Sequence, residues 1–198
     1  PNPTRFQKTL GVNDFYHAST GTPALGHIQM LGKADGGVLA ANVPSFVPQA
    51  LLDRMAHHSL DFWIMSEDLP KPDNRVEVDA DGVIRLSYTP NNIAAHAQLD
   101  RKLRELLHRA QPHPSWLRAQ ACFSHRIPVS AVAHQGGTVR FGRDPACSAL
   151  DLNCRAHEVD NLYVVDNSFV PSVGAVNPAL TIIANALRVG DVIAARLR

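Results

Sequence analysis

The chain has 198 residues, of which 45% are hydrophobic and 19% are charged. This composition is typical of one folded globular domain and excludes a disordered chain. Because 19 Lys and Arg face 18 Asp and Glu, the formal net charge is +1. A charge this small gives no electrostatic reason to expect nucleic acid or an anionic membrane as a partner. No run of about 18 apolar residues occurs, so we expect no transmembrane helix.

The first half of the chain predicts short strands and one short helix. The first 48 residues are rich in Gly and Pro, which favours strands and loops over helices. A helix is predicted over residues 48–57. A strand is predicted over residues 61–66, and the following prolines, Pro70 and Pro72, end it.

A β-hairpin and a surface helix are predicted next. Residues 75–78 and 83–88 flank a turn that contains Asp81-Gly82, and Asp-Gly is a favoured hairpin turn. The valines of the first strand alternate with charged residues, which predicts one covered and one wet face. Leucines at helical spacing predict a scaffold helix over residues 91–110, with Asn91 or Asn92 as its N-cap.

The last third predicts a buried strand followed by a buried helix. Residues 162–165 are continuously apolar, as in a strand covered on both faces, and the run ends at Asp166. Asn177-Pro178 predicts the start of a helix that runs to near Arg198, because Asn is a favoured N-cap and Pro a favoured first residue. Apolar residues on nearly all sides of its first half predict that this helix is buried.

Two segments are candidates for binding or chemistry. A helix that begins near Asn177 offers free N–H groups and the positive end of its dipole to an electron-rich ligand, although a simple core helix fits the segment equally well. His134 precedes two glycines, in backbone that a ligand could approach closely, and its side chain could move a proton near neutral pH. A purely structural histidine is the alternative reading of that segment.

Several common functional motifs are absent from the sequence. It contains no G-x-S-x-G, no G-x-G-x-x-G and no P-loop. The three cysteines form no C-x-x-C pair, so we expect no disulfide scaffold and no zinc ribbon. The ten histidines form no H-E-x-x-H, and we predict no metal site. A histidine-rich metal protein stays open as an alternative that would need ligands from distant segments.

A series of motifs in the last third resembles a known family. His134–Gly142, Asp144-Pro145, Asn161–Asp166 and Asn177–Thr181 occur in this order. The series resembles the C-terminal signature of the glucose–methanol–choline (GMC) oxidoreductases, flavoenzymes that oxidise alcohols. The resemblance is dense over about residues 130–198, and residues 6–16 and 66–70 resemble bacterial members more loosely.

The resemblance implies roles for individual residues. His134 would accept the hydroxyl proton of the substrate while hydride passes to the flavin of FAD. Asn177 would hydrogen-bond the same hydroxyl oxygen, so that both residues orient the substrate. Gly or Ala often stands in the family where this chain has Asn, directly after the strand Asp, and Asn tolerates unusual backbone angles. The flavin-contacting positions implied by the resemblance are Asp166, Asn167, Pro178 and Ala179.

The resemblance also implies a fold and a larger enzyme. We expect an α+β fold in which residues 1–129 form an antiparallel substrate-binding sheet with flanking helices. Residues 130–198 would carry the catalytic segment and return to an FAD-binding α/β domain as its last strand and helix. The chain starts at Pro1 and lacks the glycine motif with which the family binds the ADP part of FAD. The main part of that domain is therefore expected to be missing.

We therefore expect the C-terminal part of an FAD-dependent oxidoreductase that acts on a small sugar-like or polyol alcohol. Its partner would be the missing N-terminal FAD-binding domain, and the chain alone is expected to be inactive. The alternative is a non-catalytic binding or interaction module that has no cofactor of its own. The electron acceptor, the exact substrate and the cellular compartment stay open.

Overall fold

The computed structural model describes residues 10–21, 23–30, 32–41, 43–110, 124 and 126–198. Over these residues the fold is α+β, as the sequence predicts, with small antiparallel sheets and four α-helices. The chain divides into two compact units, Pro1–Ser66 with Ala94–Ile127 and Glu67–Ile93 with Pro128–Arg198. The division that the sequence predicts, between residues 129 and 130, separates a substrate-binding sheet region from a catalytic segment. Nothing in the two compact units tests that functional division, which stays a prediction.

The first unit is a three-stranded antiparallel sheet with helices. The strand order is β1-β2-β3, and Ile28 in the central strand pairs with Val12 on one side and Ile64 on the other. Leu25, Ile28 and Leu99 form its core, so the third helix lies against the sheet. The elements are β1 (Gly11–Val12), β2 (His27–Met30), α1 (Gly36–Ala40), α2 (Gln49–His58), β3 (Phe62–Met65) and α3 (Ile93–Arg109).

Most predictions for this unit are confirmed. α2 and β3 match the predicted helix and strand. α1 was not predicted, because its Gly-rich sequence favours a loop. Asp35 starts this helix, since its Oδ1 accepts a hydrogen bond from Val38 N at 2.9 Å.

The predicted cap of α3 is wrong. The helix begins at Ile93, and the preceding asparagine side chains bind other backbone instead of helix N–H groups. Asn91 Nδ2 donates to Leu69 O at 2.8 Å, and Asn92 Nδ2 donates to Glu67 O at 3.0 Å. Asn92 also has a φ of 51°, a left-handed conformation that Asn tolerates better than most residues.

The second unit contains a hairpin, a long helix and irregular chain around one core. The core residues are Leu150, Cys154, Phe169, Val170 and Val189. Phe141 and Phe169 meet edge to face, with 5.5 Å between ring centroids. The elements are β4 (Arg75–Val78), β5 (Ile84–Ser87), α4 (Ala179–Arg196) and two 3-10 turns, Val129–Ala131 and Asn167–Phe169.

The hairpin is confirmed, but its covered face is not. Val76 pairs with Leu86 and Val78 with Ile84, and Gly82 has the positive φ of 79° that the turn requires. These four apolar side chains share a face, yet all are exposed, Ile84 by 73%. The expectation of a covered face is wrong because no described element lies over it.

Two predictions for the last third are also wrong. Residues 162–165 do not form a strand, and only an isolated bridge joins Tyr163 to Arg155. Instead of pairing with strands, the side chains of Tyr163, Val164 and Val165 pack against the core. α4 runs as far as predicted but is not buried on all sides, since Val189 is its single buried residue and Leu187 is 69% exposed.

No helix among the described residues is long and apolar enough to cross a membrane.

Candidate active site

His134 follows the first 3-10 turn of the second unit. Its side chain is half-buried, and its ring makes no hydrogen bond to any residue that the structure describes. The side chain of Gln135, the next residue, folds back toward the first 3-10 turn, because its Nε2 donates to Val132 O. Gly137 then adopts a φ of 77°, a left-handed conformation that favours glycine. The left-handed Gly137 therefore lies three residues after a ring that makes no hydrogen bond within the described chain.

Asn167 brings the His134 segment against the second 3-10 turn, although the two lie far apart in sequence. Asn167 Nδ2 donates to Gln135 O at 2.8 Å, across 32 positions of the chain. Asn167 O accepts from Gly137 N at 3.2 Å. A Cβ at Gly136 would lie 2.5 Å from Asn167 Nδ2 and 2.8 Å from Asn167 O, closer than real Cβ contacts. The approach that the glycines permit is therefore occupied by Asn167, within the chain itself.

The chain after Gly137 continues along the same turn. Val139 N donates to Ser168 O at 3.0 Å, and Phe141 N donates to Phe169 O at 3.0 Å. Phe169 belongs to the buried core of the unit. The His134 segment is therefore fixed to backbone that the core holds in place.

Asp166 begins this turn and is held in its charged form. Its carboxylate accepts from Ser168 N at 2.7 Å, the usual arrangement of an N-cap. The hydroxyl and the backbone amide of Ser168 hold the pKa of Asp166 below its usual range, because both favour the carboxylate. Asp166 is exposed, whereas Asn167 is only 8% exposed.

The start of α4 differs from the predicted cap. Pro178 occupies the N-cap position with a φ of −84°, and no side chain caps the helix. The prediction that Asn177 is the N-cap is wrong, because the carbonyl of Pro178 accepts the first helical hydrogen bond and the Asn177 side chain bonds no N–H group of the described helix. Asn177 is exposed and makes no hydrogen bond to a described residue. The first helical bond runs from Ile182 N to Pro178 O, at 3.0 Å.

Three backbone donors are therefore open at this helix end. The N–H groups of Ala179, Leu180 and Thr181 have no acceptor among the described residues. Together with the helix dipole they favour an electron-rich group. Of the predicted site residues, the structure brings the His134 segment and Asn167 into contact, whereas His134 and Asn177 share no hydrogen bond in the described part of the chain.

The loop between Asn167 and Asn177 is anchored by residues that sequence reasoning gave no role. Asp68 and Val173 exchange two backbone hydrogen bonds, of 2.8 and 3.1 Å. Ser172 Oγ donates to Glu67 Oε1 at 2.5 Å. Burial raises the pKa of Asp68, and a side-chain hydrogen bond from Asn91 opposes that rise. The Glu67-Asp68 pair resembles bacterial GMC sequences, and that resemblance was the one signal that could have marked it.

No metal site is found in the described ranges. No group of three or more His, Cys, Asp and Glu side chains in those ranges could hold a metal ion. Cys122 lies outside the described residues, while Cys147 is exposed and Cys154 is buried as a free thiol.

Comparison with known proteins defines the class. A family model described as GMC oxidoreductase matches residues 70–186. The chain therefore belongs to the GMC oxidoreductase family, and the match is to the C-terminal portion of that family. The resemblance inferred from the motifs is confirmed, and the chain is part of a family of oxidoreductases.

Individual relatives share this segment. The 6'''-hydroxyparomomycin C oxidase of Streptomyces lividus is 37% identical over 153 residues, which cover 73% of this chain and 27% of that protein. The paromamine 6'-oxidase of Streptomyces fradiae is 37% identical over 140 residues, or 66% of this chain and 24% of that protein. The 2-methyl-1,2-propanediol dehydrogenase of Mycolicibacterium austroafricanum is 44% identical over 63 residues, which cover 32% of this chain and 11% of that protein. The chain thus spans about a quarter of the length of the first two relatives.

Proposed function

We propose that the chain supplies the alcohol-binding side of an FAD-dependent oxidoreductase that converts a CH–OH group into a carbonyl. The observation that carries the proposal is the contact between two family motifs, in which Asn167 Nδ2 binds Gln135 O directly after His134. The contact joins the residue after the proposed proton acceptor to the turn whose backbone the family resemblance assigns to the flavin, and this supports the proposal. The substrate class is a small hydroxylated molecule, a choice that the names of the relatives support.

The donor set of the chain fits one end of FAD. The open N–H groups of Ala179, Leu180 and Thr181 are suited to the electron-rich pyrimidine edge of a flavin. The backbone N–H of Asn167 also has no acceptor among the described residues and would serve the same group. Asp166 and Pro178 flank these donors and fix the backbone on either side. No G-x-G-x-x-G is present for the ADP end, so that end needs residues from outside this sequence.

In the proposed reaction His134 and Asn177 act on one oxygen. When bound, FAD supplies the acceptor for the hydride that leaves the substrate carbon. His134 takes the O–H proton through its unbonded ring and becomes imidazolium, while the C–O bond becomes a C=O bond. The exposed amide of Asn177 donates to the same oxygen and orients the C–H bond. The positive end of α4 would favour negative charge on a group held at the open N–H donors.

The test places this chain in a complete enzyme. A chimera of the Streptomyces fradiae paromamine 6'-oxidase carries this chain in place of the matching segment, and stopped-flow absorbance follows anaerobic bleaching of its flavin by alcohol. We expect His134→Ala to slow bleaching by about 10²–10⁴-fold, the usual contribution of a general base. Asn177→Ala should slow it by about 10–10²-fold through lost orientation. His108→Ala, at an exposed position of α3, is the matched control and should not change the rate. An unchanged rate in His134→Ala rejects the assigned base.

A second candidate function applies to the chain on its own. We propose that the isolated 198-residue chain is a binding or interaction module without catalytic activity. Because it lacks the phosphate-binding glycines, it should hold no FAD stably. The purified chain should therefore show no flavin absorbance after incubation with FAD and desalting. A yellow product with stoichiometric flavin would overturn this proposal and leave the chimera experiment unaffected.

A further inference from the structure

The side chain of Asn167 makes a contact that a backbone role toward a cofactor does not need. Its amide is buried, and its Nδ2 donates to Gln135 O at 2.8 Å while its own carbonyl accepts from Gly137 N at 3.2 Å. The two hydrogen bonds flank Gly136, where no Cβ would fit. The side chain and the backbone of one residue thus hold the two peptide groups on either side of Gly136.

The residue that grips the His134 segment is itself immobilised. Asp166 caps its turn at 2.7 Å, and the neighbouring side chains Phe169 and Val170 are part of the core. The His134 ring, in contrast, has no hydrogen-bond partner in the described part of the chain. No hydrogen bond of its own orients the ring there, and Asn167 holds the peptide group between Gln135 and Gly136, one residue further along the chain.

We propose that the Asn167 side chain is a positioning residue that fixes the His134 ring for proton transfer. This inference rests on the proposed function of His134, and it adds a role that the family resemblance does not supply, since Gly or Ala often stands at this position. The amide touches neither substrate nor reacting atoms. It acts by limiting where the backbone of Gln135 can lie. A displacement of about 1 Å at a catalytic group can cost about 10²-fold in rate.

The test uses the 198-residue chain itself and nuclear magnetic resonance. In Asn167→Ala we expect the exchange of Gly137 N–H with solvent to accelerate about tenfold, because one hydrogen bond that holds the segment is lost. The ring signals of His134 should move and its side-chain order should fall, while the signals of His157 stay in place. Asn74→Ala is the matched control, since Asn74 also grips a peptide, with hydrogen bonds of 3.0 and 2.8 Å to Thr89. It should leave the His134 signals unchanged.

A second variant keeps the test valid if the first does not fold. Asn167→Asp has the same shape, and its protonated form can donate to Gln135 O, whereas its carboxylate cannot. Burial raises the pKa of such a carboxyl, so near about pH 4 the His134 segment should match the wild type at that pH. At neutral pH the variant should resemble Asn167→Ala.

Three outcomes would overturn the proposal. One is an unmoved His134 ring in folded Asn167 variants. Another is a change that spreads over the whole unit without singling out His134. The third is an Asn167→Asp variant that is unfolded or altered equally at both pH values, which would make Asn167 a general core residue. None of these outcomes depends on flavin reduction, so a failure of the proposed function in the chimera stays distinguishable from a failure of this inference.

Discussion

Replacing Gly136 by Ala tests the contact on which the site depends. The added Cβ would lie 2.5 Å from Asn167 Nδ2, 2.8 Å from Asn167 O and 3.0 Å from Asn167 Cγ. The side-chain atoms could swing away, but the carbonyl oxygen is backbone and accepts from Gly137 N. Relief therefore requires movement of the turn itself. Overpacking of this kind costs about 1–3 kcal/mol, and the broken bond to Gln135 O adds about 1 kcal/mol.

The expected loss is thus about 2–4 kcal/mol, which corresponds to a fall in Tm of about 4–16 °C for a chain of this size. Differential scanning calorimetry measures it. Gly190→Ala is the matched control, because no atom lies within 4 Å of its added Cβ and Ala favours the interior of α4. That variant should gain about 0.5–1 kcal/mol. In an Asn167→Ala background the cost of Gly136→Ala should shrink, since two of the three clashing atoms are gone. Equal melting temperatures for Gly136→Ala and Gly190→Ala would refute the contact.

Two further predictions concern charge and packing in the second unit. The pKa of Asp166 is depressed by the hydroxyl and amide of Ser168, so its contribution to stability is present above the unfolded carboxyl pKa of about 4 and is lost as pH falls through the lower folded value. Asp166→Asn should therefore weaken the fall of Tm in acid, measured from about pH 6 to pH 2, and an identical acid profile would contradict this reasoning. On α4, Val189 is fully buried, whereas Leu187 is 69% exposed. Val189→Ala should lower the free energy of unfolding in urea by about 1–3 kcal/mol, and Leu187→Ala should lower it by less than about 0.5 kcal/mol. A larger effect at Leu187 would show that the opposite face of the helix is the buried one.

Local patterns predicted the elements whose causes lie within a few residues. The Asp-Gly turn and the alternating strands defined the hairpin, and leucines at helical spacing defined α3. α1 was not predicted because its start depends on one hydrogen bond between Asp35 and Val38, in a stretch whose glycines favour a loop. Local sequence patterns were therefore enough to predict the hairpin and α3, but not the short helix α1, which depends on its N-cap hydrogen bond.

Patterns that depend on distant partners gave wrong burial. The apolar first half of α4 predicted a covered helix, yet Leu180 is 83% exposed. The apolar run at residues 162–165 predicted a strand covered on both faces, yet in the described chain it forms one bridge and is half-buried against the core from Tyr163 to Val165. An apolar surface favours burial, but its sequence does not identify the partner surface that would cover it. The hairpin face of Val76, Val78, Ile84 and Leu86 shows the same limitation.

The sequence indicated residue types for the candidate site, and their roles stay predictions, whereas it did not indicate the internal contacts of the site. The order of motifs indicated His134, Asn167 and the start of α4, and the family match confirms the class that this order implied. The grip of Asn167 on Gln135 could not be derived from sequence, because it joins residues 32 positions apart through one side-chain amide. The role of Asn177 as a cap failed for a local reason, since the first helical hydrogen bond is accepted one residue later, by Pro178.

The two glycines after His134 have separate reasons to be glycine, and neither reason is a ligand. Gly137 needs its φ of 77°, while Gly136 needs the space that Asn167 fills. The sequence pattern suggested that a ligand uses this open backbone, but the described chain already occupies it. In the proposed reaction an alcohol would meet the segment at the His134 ring, which is half-buried and makes no hydrogen bond to a described residue. Because Asn167 already contacts this backbone, the proposed reaction assigns the substrate contact of the segment to the His134 side chain, and the two glycines shape the backbone that follows it.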